Sequence, residues 1–220
     1  GERYALFFIG NNLANAKNYD GHHASTQRIG LAMSDSLYGP FERVGNDPIL
    51  DVSENKADWD SYLTTNPALL QQSNGEFWLY YKAWDKYNDQ MRKMGLAIAK
   101  NIEGPYVKHT DNPLVSFSKY KKQVEDAYVY FDKGIYYMIM RDMGVVHPHV
   151  GLMLESVDGV QWSAPQLGYK TNLSYTNEKL IQRMERPQVL MIEGKPSYLF
   201  LALMGGKHKT STAFVLKIND

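Results

Sequence analysis

The strongest constraint on this chain is an internal repeat. The segment GLAMSDSLYGPF at residues 30–41 returns as GLAIAKNIEGPY at residues 95–106, an offset of 65 residues. A degenerate third copy, GLMLESVDGVQW, occupies residues 151–162 and carries Asp158-Gly159 where the others have Gly-Pro. Self-similarity at such a period is typical of propellers, solenoids and other arrays built from one supersecondary unit.

A second repeated element precedes each of these copies. Four segments place a turn glycine before an alternating aromatic and aliphatic run: GERYALFF, NGEFWLYY, KGIYYMIM and GKPSYLFL. Three of the four follow another short apolar run: NPALLQQ, EDAYVYF and ERPQVLM. Period-two alternation around a turn glycine predicts β-hairpins. The unit is then strand, turn, strand, loop, GLA strand, Gly-Pro turn and a PIL or PLV strand. Four antiparallel strands per unit predict an all-β protein, a β-propeller of four-stranded blades.

The repeat predicts one domain over residues 1–220, with blade units near 1–50, 60–115, 124–168 and 183–220. Three to four blades fall short of the roughly four to eight that usually close a propeller. The first unit also begins on its second strand. We interpret the chain as an N-terminally truncated piece of a five-bladed ring. The alternative is an unusual closure or a partner chain over the open blade edges, which favour association of copies into a homo-oligomer.

The composition limits the classes of binding partner. The chain has 24 basic and 24 acidic residues, so its net charge is zero and does not attract nucleic acid or an anionic membrane surface. An uncharged partner fits better. No run approaches the about 18 apolar residues of a membrane span. The 16 tyrosines and four tryptophans suit sheet packing and also stacking on sugar rings. Zero cysteines exclude a disulfide scaffold and a thiolate zinc site but leave the compartment open, with periplasmic or secreted favoured if a signal peptide precedes.

The first strands of the predicted blades start with polar residues. Asn66, Asp126 and Glu185 each stand immediately before an apolar run, and the first strand of a blade lines the central channel. Burial of a carboxylate at such a position costs free energy unless the group is hydrogen-bonded, so an acidic residue there has either a hydrogen-bond partner or a function. Two carboxyl groups across a small cavity suit cleavage of a glycosidic bond. The structural alternatives are a salt bridge of Glu185 with Arg186, and for Asp126 a strand cap or a pair with Arg141.

The succession RIGLAMSDSLYGPF, TNPALL, VEDAYVYFDKGIYY and ERPQVLMIEGKPSYLF resembles the five-bladed propeller glycoside hydrolases of the family 43-like and family 117-like group. The resemblance covers almost the whole chain. It implies an aspartate base in the first blade, an aspartate that orients and tunes the acid in a middle blade, and a glutamate acid in the next. By position, Asp126 resembles the tuning aspartate and Glu185 resembles the acid.

The sequence departs from that group at two points. The base lies on a first-blade strand that the sequence does not include, so no residue inherits its role. The family 117 branch of the resemblance implies a histidine acid shortly before the last glutamate, and residues 175–184 contain no histidine. On that branch His147 or His149 would have to reach the site. Arg186 would bind a substrate carboxylate or hydroxyl in a bidentate manner.

Further substrate contacts are predicted at Asn66, Glu125 and Arg186, which would hold hydroxyl groups, and at Trp84 and His147 near the funnel. The spacing of His147-Pro-His149 resembles a metal site, but no nearby carboxylate pattern completes it. We therefore expect no cofactor and no metal ligands among these residues, with a structural divalent cation in the channel as the alternative. Phosphate loops, dinucleotide fingerprints and the GxSxG elbow are absent from the sequence.

These features together predict a glycoside hydrolase that removes a terminal sugar from an oligosaccharide or polysaccharide. Inversion of configuration is implied only by the resemblance. Two alternatives stay open. One is a carbohydrate-binding or scaffold propeller without catalysis. The other is a phosphorolytic relative, in which basic residues in the funnel bind phosphate.

Overall fold

The computed structural model describes residues 3–11, 20–177 and 179–218, so the outer limits of the predicted domain, Gly1 and Asp220, lie outside them. The described residues form fourteen β-strands and three short 3-10 helices. The predicted all-β class is confirmed. The chain divides into two compact units, residues 1–113 and 114–220. Within the described ranges, no helix is long and apolar enough to cross a membrane.

The first unit contains two antiparallel sheets in which neighbouring strands are consecutive in the chain. The first sheet consists of β1 (Tyr4–Asn11), β2 (Gln27–Ser34) and β3 (Glu42–Arg43). The second consists of β4 (Leu63–Gln71), β5 (Phe77–Trp84), β6 (Lys93–Ala99) and β7 (Val107–Lys108). A 3-10 helix at His23–Thr26 leads into β2.

The second unit repeats this plan. One sheet consists of β8 (Val124–Asp132), β9 (Ile135–Asp142), β10 (Gly151–Ser156) and β11 (Gln166–Tyr169). The other consists of β12 (Ile181–Ile192), β13 (Lys195–Gly205) and β14 (Thr210–Lys217). The 3-10 helices Ser118–Tyr120 and Asn172–Ser174 lie in connections. In each of these two sheets the first strand, β8 or β12, lies at the edge of the sheet. One side of its backbone is therefore not paired with another strand of that sheet.

Among the described residues, two of the four sheets have four strands and two have three. The predicted PIL strand is wrong. Leu50 makes only an isolated bridge with Ile29, while the fourth strand of the second sheet is β7, directly after the Gly104-Pro105 turn. Proline supplies no N–H to a ladder, so the residues beside Pro48 and Pro113 are poor strand formers.

Two adjacent tyrosines of the second sheet serve packing. Tyr80 and Tyr81 on β5 are 1% and 0% exposed, so this central strand is buried on both faces. The Tyr81 hydroxyl donates to the buried Asp60 carboxylate at 3.0 Å, which satisfies both polar groups. Burial, aided by the Asp60 charge, raises the pKa of Tyr81 above its usual value. Sheet packing therefore accounts for Tyr80 and Tyr81.

The repeated glycine of the GLA strand has a common structural reason. A Cβ atom on Gly30, Gly95 or Gly151 would stand 2.4, 2.6 or 2.0 Å from an aromatic ring. The rings belong to Phe8, Trp59 and Tyr169, respectively. Because each glycine has no side chain, an aromatic ring can pack directly against its backbone.

Candidate active site

The first strands of three sheets carry the same irregularity at intervals of 60 residues. Asn66, Asp126 and Arg186 have positive φ angles of 50°, 59° and 57°. The ladder shifts by one residue at each of them, between Thr65/Ala68, Glu125/Tyr128 and Glu185/Gln188. These are β-bulges, which re-aim side chains next to functional sites. Left-handed backbone costs an arginine about 1–2 kcal/mol, which the surrounding structure must offset at Arg186.

The bulges correct the sequence alignment of the blades. The sequence suggested that Asn66, Asp126 and Glu185 are equivalent positions. The structure shows instead that Arg186 is the equivalent of Asn66 and Asp126, whereas Glu185 corresponds to Glu125. The two glutamates thus stand immediately before their bulges, and the aspartate stands within one.

Three carboxylates from β8 and β12 converge. One oxygen atom from each of Glu125, Asp126 and Glu185 lies within 4.8 Å of the others. Glu125 and Asp126 are only 9% and 7% exposed, and the Glu185 side chain is 17% exposed. The structure therefore brings together Asp126 and Glu185, which are distant in the chain. It also places Glu125, predicted to contact substrate, in the same cluster.

Arg141 on β9 holds the cluster together. Its Nη1 donates to Glu125 Oε1 at 2.5 Å and to Glu185 Oε2 at 2.9 Å. The Arg141 side chain is 13% exposed, so these charge-assisted bonds are only partly screened by solvent. The predicted salt bridge of Glu185 with Arg186 is wrong, since Glu185 pairs with Arg141 and the second arginine near it is Arg183, at 3.8 Å. The strand cap or Arg141 pair suggested for Asp126 stays a prediction.

This bonding pattern leaves the two oxygens of Glu185 unequal. Oε2 accepts from the Arg141 guanidinium at 2.9 Å and lies 3.8 Å from Arg183 Nη1. Burial, together with the nearby Asp126 charge, raises the pKa of Tyr169, whose hydroxyl donates to the Met184 carbonyl at 3.2 Å.

Comparison with known proteins identifies the architecture. No family model matches the sequence, and no curated protein matches it either. Solved structures do match. A family 117 glycoside hydrolase from the marine bacterium Zobellia galactanivorans is similar over 99% of this chain, with 17% identity and a TM-score of 0.68. The fold is that of the β-propeller glycoside hydrolases.

Two other solved structures agree. A thermostable family-43 glycoside hydrolase aligns over 99% of this chain with 12% identity and a TM-score of 0.68. An endo-arabinase from Bacteroides thetaiotaomicron aligns over 98% with 12% identity and a TM-score of 0.69. The chain spans 60%, 68% and 70% of the length of these three proteins and 63% of a further glycoside hydrolase. The four sheets are therefore propeller blades, and the three bulged strands are the first strands of their blades.

His147 is not a member of the carboxylate cluster among the described residues. It is exposed in the loop after β9, where its ring lies 5.6 Å from the His149 ring and its Nδ1 accepts from the His149 backbone at 3.4 Å. The loop is held by Asp142, which is fully buried. Asp142 Oδ1 accepts from the backbone of residues 144 and 145, and Oδ2 from that of residues 146 and 147, at 2.6–2.8 Å.

We expect Asp142→Asn to lower the free energy of unfolding by about 2 kcal/mol, because an amide nitrogen would face two backbone N–H donors and leave them unsatisfied. The matched control is Asp158→Asn. Asp158 Oδ1 alone accepts from the backbone of Val160 and Gln161, so an asparagine oxygen can replace it. Urea unfolding of both variants measures the difference. Equal losses would show that the second oxygen of Asp142 contributes nothing.

Asn66 and Trp84 lie in the first unit. Asn66 Oδ1 accepts from the Thr65 hydroxyl at 3.0 Å. The Trp84 ring has the Arg92 guanidinium 5.1 Å from its centroid and the Tyr62 ring at 6.1 Å. Protein groups therefore already pack on Trp84, in an arrangement typical of cation–π contacts. The predicted substrate roles of Asn66, Trp84, His147 and Arg186 stay predictions.

Sequence reasoning missed the bridging role of Arg141 and the contact of Tyr169. The signal for Arg141 was available in the β8–β9 hairpin, whose two-residue turn pairs Asp132 with Ile135. Counting back from that turn puts Asp126 opposite Arg141, but the bulge moves Arg141 opposite Glu125. Tyr169 gave no local signal, since its partners lie on other strands.

Proposed function

We propose that the protein is a glycoside hydrolase that removes a terminal sugar from an oligosaccharide or polysaccharide. The carrying observation is the convergence of Glu125, Asp126 and Glu185 on the first strands of two consecutive blades, bridged by Arg141. The propeller fold shared with glycoside hydrolases of families 43 and 117 supports the proposal.

In this proposal Glu185 is the general acid and protonates the leaving oxygen from Oε1. Its position on β12 leaves that side chain more exposed than Glu125, which suits contact with a substrate. Arg141 fixes the other oxygen and orients the carboxyl group. Positioned proton transfer of this kind contributes roughly 10²–10⁴-fold to the rate.

Asp126 is the tuning residue in this proposal. One oxygen atom of Asp126 lies within 4.8 Å of one oxygen atom each of Glu125 and Glu185, close enough for its charge to act on them. The resemblance places the base that activates water on an earlier strand, so we propose that the base comes from outside this cluster. Asp126 instead supplies a negative charge that favours protonation nearby.

The test is turnover of a panel of aryl glycosides by the full-length gene product, with and without inorganic phosphate. We expect phosphate-independent release of the aryl group from at least one sugar. Inversion at the anomeric carbon would appear by NMR as first formation of the opposite anomer. Binding of oligosaccharides by calorimetry without any turnover would overturn the proposal in favour of a binding propeller, and obligatory phosphate would favour phosphorolysis.

A further inference from the structure

A single row of residues crosses the third blade at the level of the carboxylates. Glu125 on β8 is paired with Arg141 on β9, Arg141 with Gly151 on β10, and Gly151 with Tyr169 on β11. Three of the four residues at this level therefore have large side chains that are polar or charged. The fourth residue, Gly151, has no side chain.

The missing side chain at Gly151 makes room for the Tyr169 ring. A Cβ atom there would stand 2.0 Å from Tyr169 Cε1 and 2.1 Å from Cδ1, so any larger residue would expel the ring. Gly151 has no positive φ in this structure, which means that backbone conformation does not explain the glycine. Close approach of the aromatic ring does explain it.

The Tyr169 hydroxyl then reaches the strand that carries Glu185. It donates to the carbonyl of Met184, which directly precedes Glu185 on the edge strand β12. Tyr169 is 2% exposed, so this bond is protected from water. Because burial and the Asp126 charge raise its pKa, the hydroxyl keeps its proton, and hence its donor, through the alkaline side of any ordinary assay.

Glu185 is thus held from both sides. Met184 before it is hydrogen-bonded to Tyr169, and Arg186 after it occupies the left-handed bulge with φ of 57°. A strained residue persists only when its surroundings over-determine the backbone. On an edge strand with an interrupted ladder, the bond from Tyr169 supplies one such restraint.

We propose that Tyr169, seated over Gly151, is a positioning residue that holds the backbone of β12 so that Glu185 keeps its place between Arg141 and the substrate. The inference rests on the proposed function for its kinetic consequence. Its structural content, restraint of the strand at residues 184–186, is independent of that function. Tyr169 itself does not contact the reacting atoms in this role.

The first test is Tyr169→Phe in the full-length gene product, with Tyr106→Phe as the matched control. The control removes a similar bond, from the Tyr106 hydroxyl to the Ile102 carbonyl at 3.0 Å, in the other unit. We expect Tyr169→Phe to lower kcat about tenfold with KM unchanged, since small misplacements of catalytic groups are costly and substrate contacts are untouched. Tyr106→Phe should change neither constant.

Hydrogen exchange gives a second readout that needs no substrate. The backbone amides of Glu185 and Arg186 should exchange about tenfold faster in Tyr169→Phe than in wild type, as expected for local opening of a strand that has lost a restraint. Tyr106→Phe should leave them unchanged. Equal exchange in both variants would overturn the proposal whether or not the protein hydrolyses glycosides.

Gly151→Ala tests whether the position of the Tyr169 ring depends on the missing side chain at Gly151. Gly95→Ala is the control, because Gly95 packs in the same way against the Trp59 ring. Both add a methyl group against an aromatic ring, at 2.0 and 2.6 Å. Only Gly151→Ala should reproduce the faster exchange at Glu185 and the lower kcat. Turnover by wild type with an unchanged kcat in Tyr169→Phe would refute the positioning role. Absence of turnover by wild type would refute the proposed function alone, and the exchange result would still decide the inference.

Discussion

Glu185→Gln should lower kcat on aryl glycosides with poor leaving groups by about 10²–10⁴-fold, the usual contribution of a positioned general acid. Glutamine is nearly isosteric and can still accept the bond from Arg141 through its amide oxygen. It has no acidic proton to transfer. The folded structure should therefore be kept while the proton transfer is lost.

The leaving group distinguishes an acid from a residue that only binds. A strongly activated aryl group departs without protonation, so the deficit of Glu185→Gln should shrink to within about tenfold on such substrates. Glu193→Gln is the control, because Glu193 is exposed in the turn that joins β12 to β13. If the deficit were equal for all leaving groups, Glu185 would not be the proton donor, and Glu125 or Asp126 would become the candidates.

Asp126→Asn offers an independent comparison. In the proposed role Asp126 acts on the acid through its charge, and asparagine removes that charge while keeping the shape and the bulge conformation, which asparagine tolerates well. We expect a lower kcat and a shift of the alkaline limb of the pH–rate profile to lower pH, because the general acid works only while protonated and Asp126 supplies a charge that favours its protonation. A variant that lost activity with an unchanged profile would indicate that Asp126 binds substrate instead.

The sequence predicted this site in outline because propeller blades are local units. The strands that carry Asp126 and Glu185 were each recognisable from a turn glycine and period-two alternation. Repetition then implied that they converge. The structure brings them together from consecutive blades.

The pairing of charges could not be predicted from the same pattern. Uninterrupted counting from the β8–β9 turn puts Arg141 opposite Asp126 and Asp142 opposite Glu125, whereas the bulge puts Arg141 opposite Glu125. Without the extra residue of the bulge, the carboxylates of Glu125 and Asp142 would face each other. With it, Glu125 faces Arg141 and forms an ion pair. Bulges are set by the packing of the whole site, and short sequence windows carry little information about them.

The role of the GLA glycine was hidden for a related reason. The repeat of Gly30, Gly95 and Gly151 was visible, but the rings that cover them come from different places in the chain. Phe8 precedes its glycine by one strand, Trp59 lies in a connection, and Tyr169 follows by one strand. Contact between such residues depends on tertiary structure, which a local pattern does not contain.

Removal of Arg141 is expected to have the largest effect on stability. Arg141→Ala would leave Glu125, Asp126 and Glu185 within 4.8 Å of one another without the cation between them. Breaking a buried ion pair by removing one partner costs about 3–5 kcal/mol. Because the three paired side chains are 12–17% exposed, water screens part of this cost, and we expect about 3 kcal/mol. For a domain of this size that corresponds to a fall in Tm of roughly 6–12 °C.

Arg183→Ala is the matched control. Its guanidinium lies 3.8 Å from the same Glu185 oxygen, but the side chain is 42% exposed, so its loss should cost less than about 1 kcal/mol. Adding Glu125→Gln to Arg141→Ala should recover part of the loss, because it removes one of the repelling charges. If both arginine variants unfolded at the same temperature, Arg141 would not hold the cluster together, and the fixed orientation of Glu185 would need another source.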